Sequence, residues 1–104
     1  MTIKNEDLTF NKLDKDEKIP YDLLLLADPS KELIDGYLKH SDVFIAKQHD
    51  KTIGVIVLFP LTVETVEIKN IAVKPEFQGQ GIGSYLIENL VQIALSNSSY
   101  ARNA

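Results

Sequence analysis

Three glycines at alternate positions, Gly79, Gly81 and Gly83, follow a β-branched run that stops at Lys74-Pro75 and open an amphipathic stretch ending near Leu95. From Ile68 to Val91 the chain therefore reads strand, glycine loop, helix. Glycine lets the backbone take up conformations and close approaches that a Cβ forbids, and the first N–H groups of a helix have no partner inside it. Those donors, beside the positive end of the helix dipole, suit a phosphate or pyrophosphate. Spacing narrows the choice. A Walker A loop closes on Gly-Lys-Ser/Thr, whereas Gly83 runs straight into Ser84. A Rossmann fingerprint sets its third glycine three residues after its second; from Gly81 that position is Ser84, and from Gly83 it is Leu86. A glycine-rich β–α turn without a ligand is the alternative reading.

What does fit is Val73-x-Pro75-x-x-Gln78-x-x-Gly81-x-Gly83. On these residues the sequence resembles the acetyl-CoA-binding motif of the GNAT family of N-acetyltransferases. The resemblance implies acetyl-CoA as acetyl donor, no metal, and a primary amine, on a small molecule or a peptide, as acceptor. It implies that backbone groups of Ile71, Ala72 and Val73 pair with the pantetheine arm, the Val73 N–H facing the thioester carbonyl. Gln78, Gly79, Gln80, Gly81, Ile82, Gly83 and Ser84 would then wrap the pyrophosphate, mainly through main-chain N–H groups. Glu67, at the start of the same strand, is the implied general base, acting through a water; a solvated strand-face carboxylate is its other reading. Lys74 reads as a solvated loop lysine that can add charge near the phosphates. The acceptor site would lie over Leu24 to Gly36, with Asp28 and Tyr37 as its polar candidates.

The elements that must position these residues follow in order. A first strand is expected over Leu8 to Leu13, then a solvated charge run at Asp14 to Lys18. Leu23 to Leu26 form an apolar run expected as a short buried helix. Asp28-Pro29 reads as an N-cap and first helical residue of a second helix reaching about Lys39, with Leu33, Ile34, Tyr37 and Leu38 at helical spacing. Ser41 to Gln48 and Thr52 to Phe59 read as a hairpin across His49-Asp50-Lys51, and Val66 to Val73 as a third neighbouring strand. In that strand Val66, Ile68, Asn70 and Ala72 are expected on one face, Glu67, Lys69, Ile71 and Val73 on the other.

The fold class is thus α/β (α+β): a mixed, mainly antiparallel sheet flanked by helices, one domain over residues 1–104, similar to a GNAT fold cut after the helix that follows the glycines. The resemblance implies three further elements, a splayed fifth strand, a helix and a closing hairpin; Tyr100 precedes where that strand would start and does not replace the family's tyrosine acid. Exposed sheet and helix surface is expected to favour a homodimer. An acetyl-CoA-binding or interaction module without turnover is the second reading, and a β–α unit for another phosphate ligand the third.

Composition sets the outer bounds. At 104 residues, with 44% hydrophobic and 25% charged positions, the chain suits one soluble domain. It contains no cysteine, so disulfides, thiolate metal sites and a cysteine nucleophile are out. Met1 to Asp7 lack the order of a signal peptide and no apolar run reaches membrane-spanning length, so a cytoplasmic protein without a membrane partner is expected. A net charge of −4 and a single arginine, Arg102, argue against nucleic acid. His40 and His49 show no metal-ligand spacing, and Ser96-Asn97-Ser98-Ser99 no nucleophile elbow.

Overall fold

The computed structural model describes residues 7–62 and 65–96. The residues read above for a leader, 1–6, and those at Asn97 to Tyr100 and Arg102 lie outside the described residues, apart from Asp7. The elements come in the expected order. They are β1 (Leu8–Lys12), α1 (Tyr21–Ala27), α2 (Lys31–Leu38), β2 (Asp42–Gln48), β3 (Lys51–Pro60), β4 (Val66–Val73), a 3₁₀ turn at Pro75–Phe77 and α3 (Ile82–Ser96). The strands form one antiparallel sheet in the order β1-β2-β3-β4.

Helices cover both faces of that sheet. Ile45, Val55, Val57 and Ala72 pack with Leu23, Leu24 and Ile34 beneath α1 and α2, while Phe44, Ile56 and Leu58 pack with Ile82, Leu86 and Leu90 of α3. Because β3 is covered on both faces, Ile53 to Leu58 is a continuous buried run rather than an alternating one. α3 lies so close to β3 that a Cβ on Gly54 would come within 3.2 Å of Ile82 and Leu86.

Two expectations about the helices need correction. Of the four-leucine run only Leu23 and Leu24 are buried; successive helical residues point about 100° apart, so a seven-residue helix on a sheet leaves Leu25 and Leu26 exposed. The cap of α2 is Ser30, not Asp28: Ser30 Oγ accepts the Leu33 N–H at 3.2 Å, while Asp28 Oδ1 accepts the Ser30 N–H at 3.1 Å. Asp28 thus shapes the turn that leads to the cap, and Pro29 stays outside the helix. The two helices are clamped at Asp35. Its carboxylate accepts from the Tyr21 hydroxyl and pairs with Lys31 Nζ at 2.9 Å, and Lys31 lies over the Tyr21 ring. The Tyr21 hydroxyl, and then Lys31, hold the Asp35 carboxyl below the ordinary aspartate range.

Candidate cofactor groove and acceptor pocket

β4 pairs with β3 on one side only, and no described strand lies on the other. The Lys74 N–H is taken by the Ile53 carbonyl at 2.8 Å. Along an extended chain the hydrogen-bonding groups alternate in direction, so those of Val73 face away from β3. The Val73 carbonyl is reached there by Gln78 Nε2 at 3.0 Å, and the Val73 N–H faces the same open edge. A groove of about 350 Å³ runs along this edge, lined by Ile71, Ala72 and Val73, by Gln78 and Gly83, and by Leu26 and Ala27 of α1.

The glycine loop closes one end of that groove. Gly79 and Gly81 sit at φ +78° and +84°, the left-handed region in which a Cβ is strained, and nothing lies within 4 Å of where their Cβ atoms would be. Gly81 supplies the carbonyl for the first bond of α3, from the Tyr85 N–H at 3.0 Å. No acceptor among the described residues takes the N–H groups of Ile82, Gly83 and Ser84. The glutamine side chains staple the loop: Gln78 to the Val73 carbonyl, and Gln80 Nε2 to the Glu76 carbonyl at 3.3 Å. Ile82 buries its side chain against β3, so it offers the loop only its N–H. The arrangement fits a pyrophosphate held by main-chain donors, with open space where three side chains are missing.

A bulge in β4 shapes the other side. Val57 pairs with Asn70 and Leu58 with Ile68, so Lys69 is the extra residue. The simple alternation expected for this strand fails here, because a bulge turns two successive side chains to one face. Asn70 is buried beneath α1 and α2, where its Nδ2 donates to the Leu24 carbonyl at 3.0 Å and to the Tyr37 hydroxyl oxygen at 2.9 Å. Lys69 lines a pocket of about 560 Å³ on the same side with Asp28, Glu32, Leu33, Gly36 and Tyr37. Glu67 joins this group through Lys69, whose Nζ lies 3.0 Å from its Oε1, and both side chains keep contact with water.

Ile71, Ala72, Val73, Gln78 and Gly83 are thus brought together in one groove; Gly79, Gln80, Gly81, Ile82 and Ser84 form the loop at its end; Glu67 stands apart, toward the pocket beneath α2. Asn70 and Glu32 were missed by reasoning from sequence. The signal for Asn70 is an amide on the strand face otherwise read as Val66, Ile68 and Ala72, since a buried polar residue there needs a partner on another element. His40 and His49 are exposed, and no cluster of metal-ligating side chains occurs among the described residues.

A four-stranded antiparallel sheet between helices, with a groove along β4 that ends at the unpartnered N–H groups of Ile82, Gly83 and Ser84, defines the class of the domain. The chain belongs to the acetyltransferase (GNAT) family, whose family model matches residues 6–103. It is 46% identical over 74 residues to the uncharacterized N-acetyltransferase YvbK of Bacillus subtilis, covering 71% of this chain and 48% of that protein. Among solved structures, a GNAT family acetyltransferase from Elizabethkingia anophelis with acetyl-CoA bound is 49% identical, with a TM-score of 0.83 over 86% of this chain and 59% of its own. A Bacillus subtilis acetyltransferase in complex with CoA is 40% identical, with a TM-score of 0.74 over 82% of this chain and 56% of its own. The chain therefore spans about half the length of the curated relative and under two thirds of these structures. No helix among the described residues is long and apolar enough to cross a membrane.

Proposed function

We propose that this chain binds acetyl-CoA and transfers its acetyl group to the nitrogen of a primary amine, on a small molecule or a peptide, in the cytoplasm. The observation that carries the reading is the continuity of the site: an outward Val73 N–H, a groove along β4, and the free N–H groups of Ile82, Gly83 and Ser84 at its end. The acetyl donor supplies a thioester, which needs positioning more than activation. Ile71 to Val73 align the pantetheine arm along the strand edge, and the Val73 N–H stabilises the oxygen of the acetyl carbonyl as the amine attacks. The N–C bond forms as the C–S bond breaks, and the sulfur leaves as thiolate.

The amine must first lose a proton. An alkylammonium with pKa near 10.4 is neutral in roughly one molecule in 2,500 at pH 7. In this reading the acceptor enters the pocket lined by Asp28, Glu32 and Tyr37, and Glu67 withdraws its proton through a water. Glu67→Gln is expected to lower turnover about 100-fold while leaving acetyl-CoA affinity unchanged. Release of free thiol from acetyl-CoA in the presence of a panel of primary amines, above a blank without protein, measures this, and the chain adds no thiol of its own. Unchanged turnover would remove Glu67 from the mechanism.

Gly83 offers a sharper separation of fold from function. It is helical, its backbone does not need glycine, and no atom lies within 4 Å of its missing Cβ. Gly83→Ala is expected to keep stability or raise it, by up to about 1 kcal/mol, while weakening acetyl-CoA roughly tenfold by filling the groove. Thermal melting and calorimetric titration of the same sample test the pair; a variant that binds as well as the parent would place the pyrophosphate elsewhere.

A second reading, acetyl-CoA binding without turnover in the groove along the β4 edge, is favoured by the Glu67 carboxylate being engaged by Lys69 Nζ at 3.0 Å. Ile68 on that edge and Ile87, Val91 and Leu95 on α3 are exposed apolar residues, which supports association of two copies through this flank. Saturable binding with no thiol release would select the module; light scattering reports the dimer.

A further inference from the structure

Of the nine described lysines, four are ion-paired and five, Lys15, Lys18, Lys39, Lys51 and Lys74, are not. Lys12, Lys31, Lys47 and Lys69 each contact a carboxylate at 2.8 to 3.0 Å. Lys18, Lys51 and Lys74 have no ion-pair partner among the described residues, and these three line one cleft of about 300 Å³. They come from separate segments: Lys18 from the β1–α1 connection, Lys51 from the first residue of β3, Lys74 from the end of β4. The cleft also contains Thr52 and only one carboxylate, Asp22. In a chain of net charge −4, three lysines without an ion-pair partner line this concavity beside a single aspartate, so the field there is locally positive.

The Lys74 backbone is tied to β3 through its N–H bond to the Ile53 carbonyl, and Lys51 Nζ lies 5.6 Å from the centre of the Phe77 ring. The cleft is distinct from the cofactor groove: Asp22 and Leu23 border the first, Leu26 and Ala27 the second. We infer that the cleft formed by Lys18, Lys51 and Lys74 is a second anion site, for a phosphate monoester, separate from the glycine loop. Three rotatable ammonium donors match a compact group carrying about two negative charges. The monoester comes either from the ribose 3′-phosphate of CoA or from another phosphorylated molecule.

The test needs no acetyl transfer, so its failure leaves the proposed activity untouched. Inorganic phosphate is titrated into the isotope-labelled chain at constant ionic strength, and the amide signals of Thr52 and Lys74 are followed. Saturable shifts are expected, weakened about tenfold by either Lys18→Ala or Lys51→Ala and absent when both are changed. Both substitutions are at exposed side chains, and unchanged spectra elsewhere verify the fold. The inference is overturned by the absence of shifts, by equal shifts with chloride, by shifts that survive the double substitution, or by their loss in Gly81→Asp, which would assign them to the glycine loop. The source is then read from acetyl-CoA against its 3′-dephospho form. Shifts with the first alone identify the cofactor's own phosphate; shifts with neither identify a separate phosphorylated ligand.

Discussion

Gly81→Asp is expected to cost at least about 100-fold in acetyl-CoA affinity, some 2.7 kcal/mol, while the chain stays folded. The reason is not a clash within the protein, since the space beside Gly81 is open. Two effects act instead. A non-glycine residue at φ +84° carries strain of roughly 1–2 kcal/mol, and aspartate is among the side chains that tolerate that region best. More important, a carboxylate at the residue before α3 stands beside the unpartnered N–H groups of Ile82, Gly83 and Ser84. It caps the helix and occupies the donors that the pyrophosphate needs, adding like-charge repulsion. Gly81→Ala separates the two, because it keeps the strain without the charge; it should lose far less affinity than the aspartate. Calorimetric titration of both variants, with melting curves on the same samples, decides the matter, and full affinity in Gly81→Asp would contradict a pyrophosphate at this loop.

Leu86→Ala carries the largest expected loss of stability, about 3 kcal/mol from transfer and cavity terms together. Leu86 is fully buried between α3 and the sheet, close to Gly54 and in the cluster that holds Phe44, Ile56 and Leu58. Against a total of roughly 5–15 kcal/mol for a domain, that is a substantial share, and the melting temperature should fall by roughly 10–20 °C. Because α3 also carries the cradle at its N-terminus, saturating acetyl-CoA should recover part of the loss by mass action. Leu95→Ala, at an exposed position on the same helix, is the control and should change little. Chemical denaturation with an unchanged slope and an unchanged midpoint would show that the helix is not docked through Leu86.

The strand, glycine loop and helix were legible in the sequence because everything that makes them is local. A β-branched strand, a proline, alternate glycines and an amphipathic helix within about two dozen residues specify their own geometry. The two β-rich runs on either side of His49-Asp50 and the strand that follows were legible for the same reason. What depended on distant partners was not. Strict alternation along Val66 to Val73 separated Lys69 from Asn70, and only the pairing of β4 with β3 reveals the bulge that turns both toward the α1 and α2 side. Asp28 looked like the cap because it precedes a proline, but Ser30 lies three residues before a free N–H that its hydroxyl can reach. The cleft of Lys18, Lys51 and Lys74 joins residues up to 56 positions apart and leaves no periodic trace.

Asn70 has a consequence for how the two halves of the site communicate. One amide group grips both the Leu24 carbonyl, on the helix whose Leu26 and Ala27 wall the candidate cofactor groove, and the hydroxyl of Tyr37, which walls the proposed acceptor pocket. The walls are therefore struts on a common pin. A ligand that stiffens one wall lowers the cost of ordering the other, and thermodynamic reciprocity requires the second ligand to return the favour by the same factor. Donor and acceptor are then expected to bind cooperatively, with neither obliged to arrive first, and Asn70→Ala to make their affinities independent.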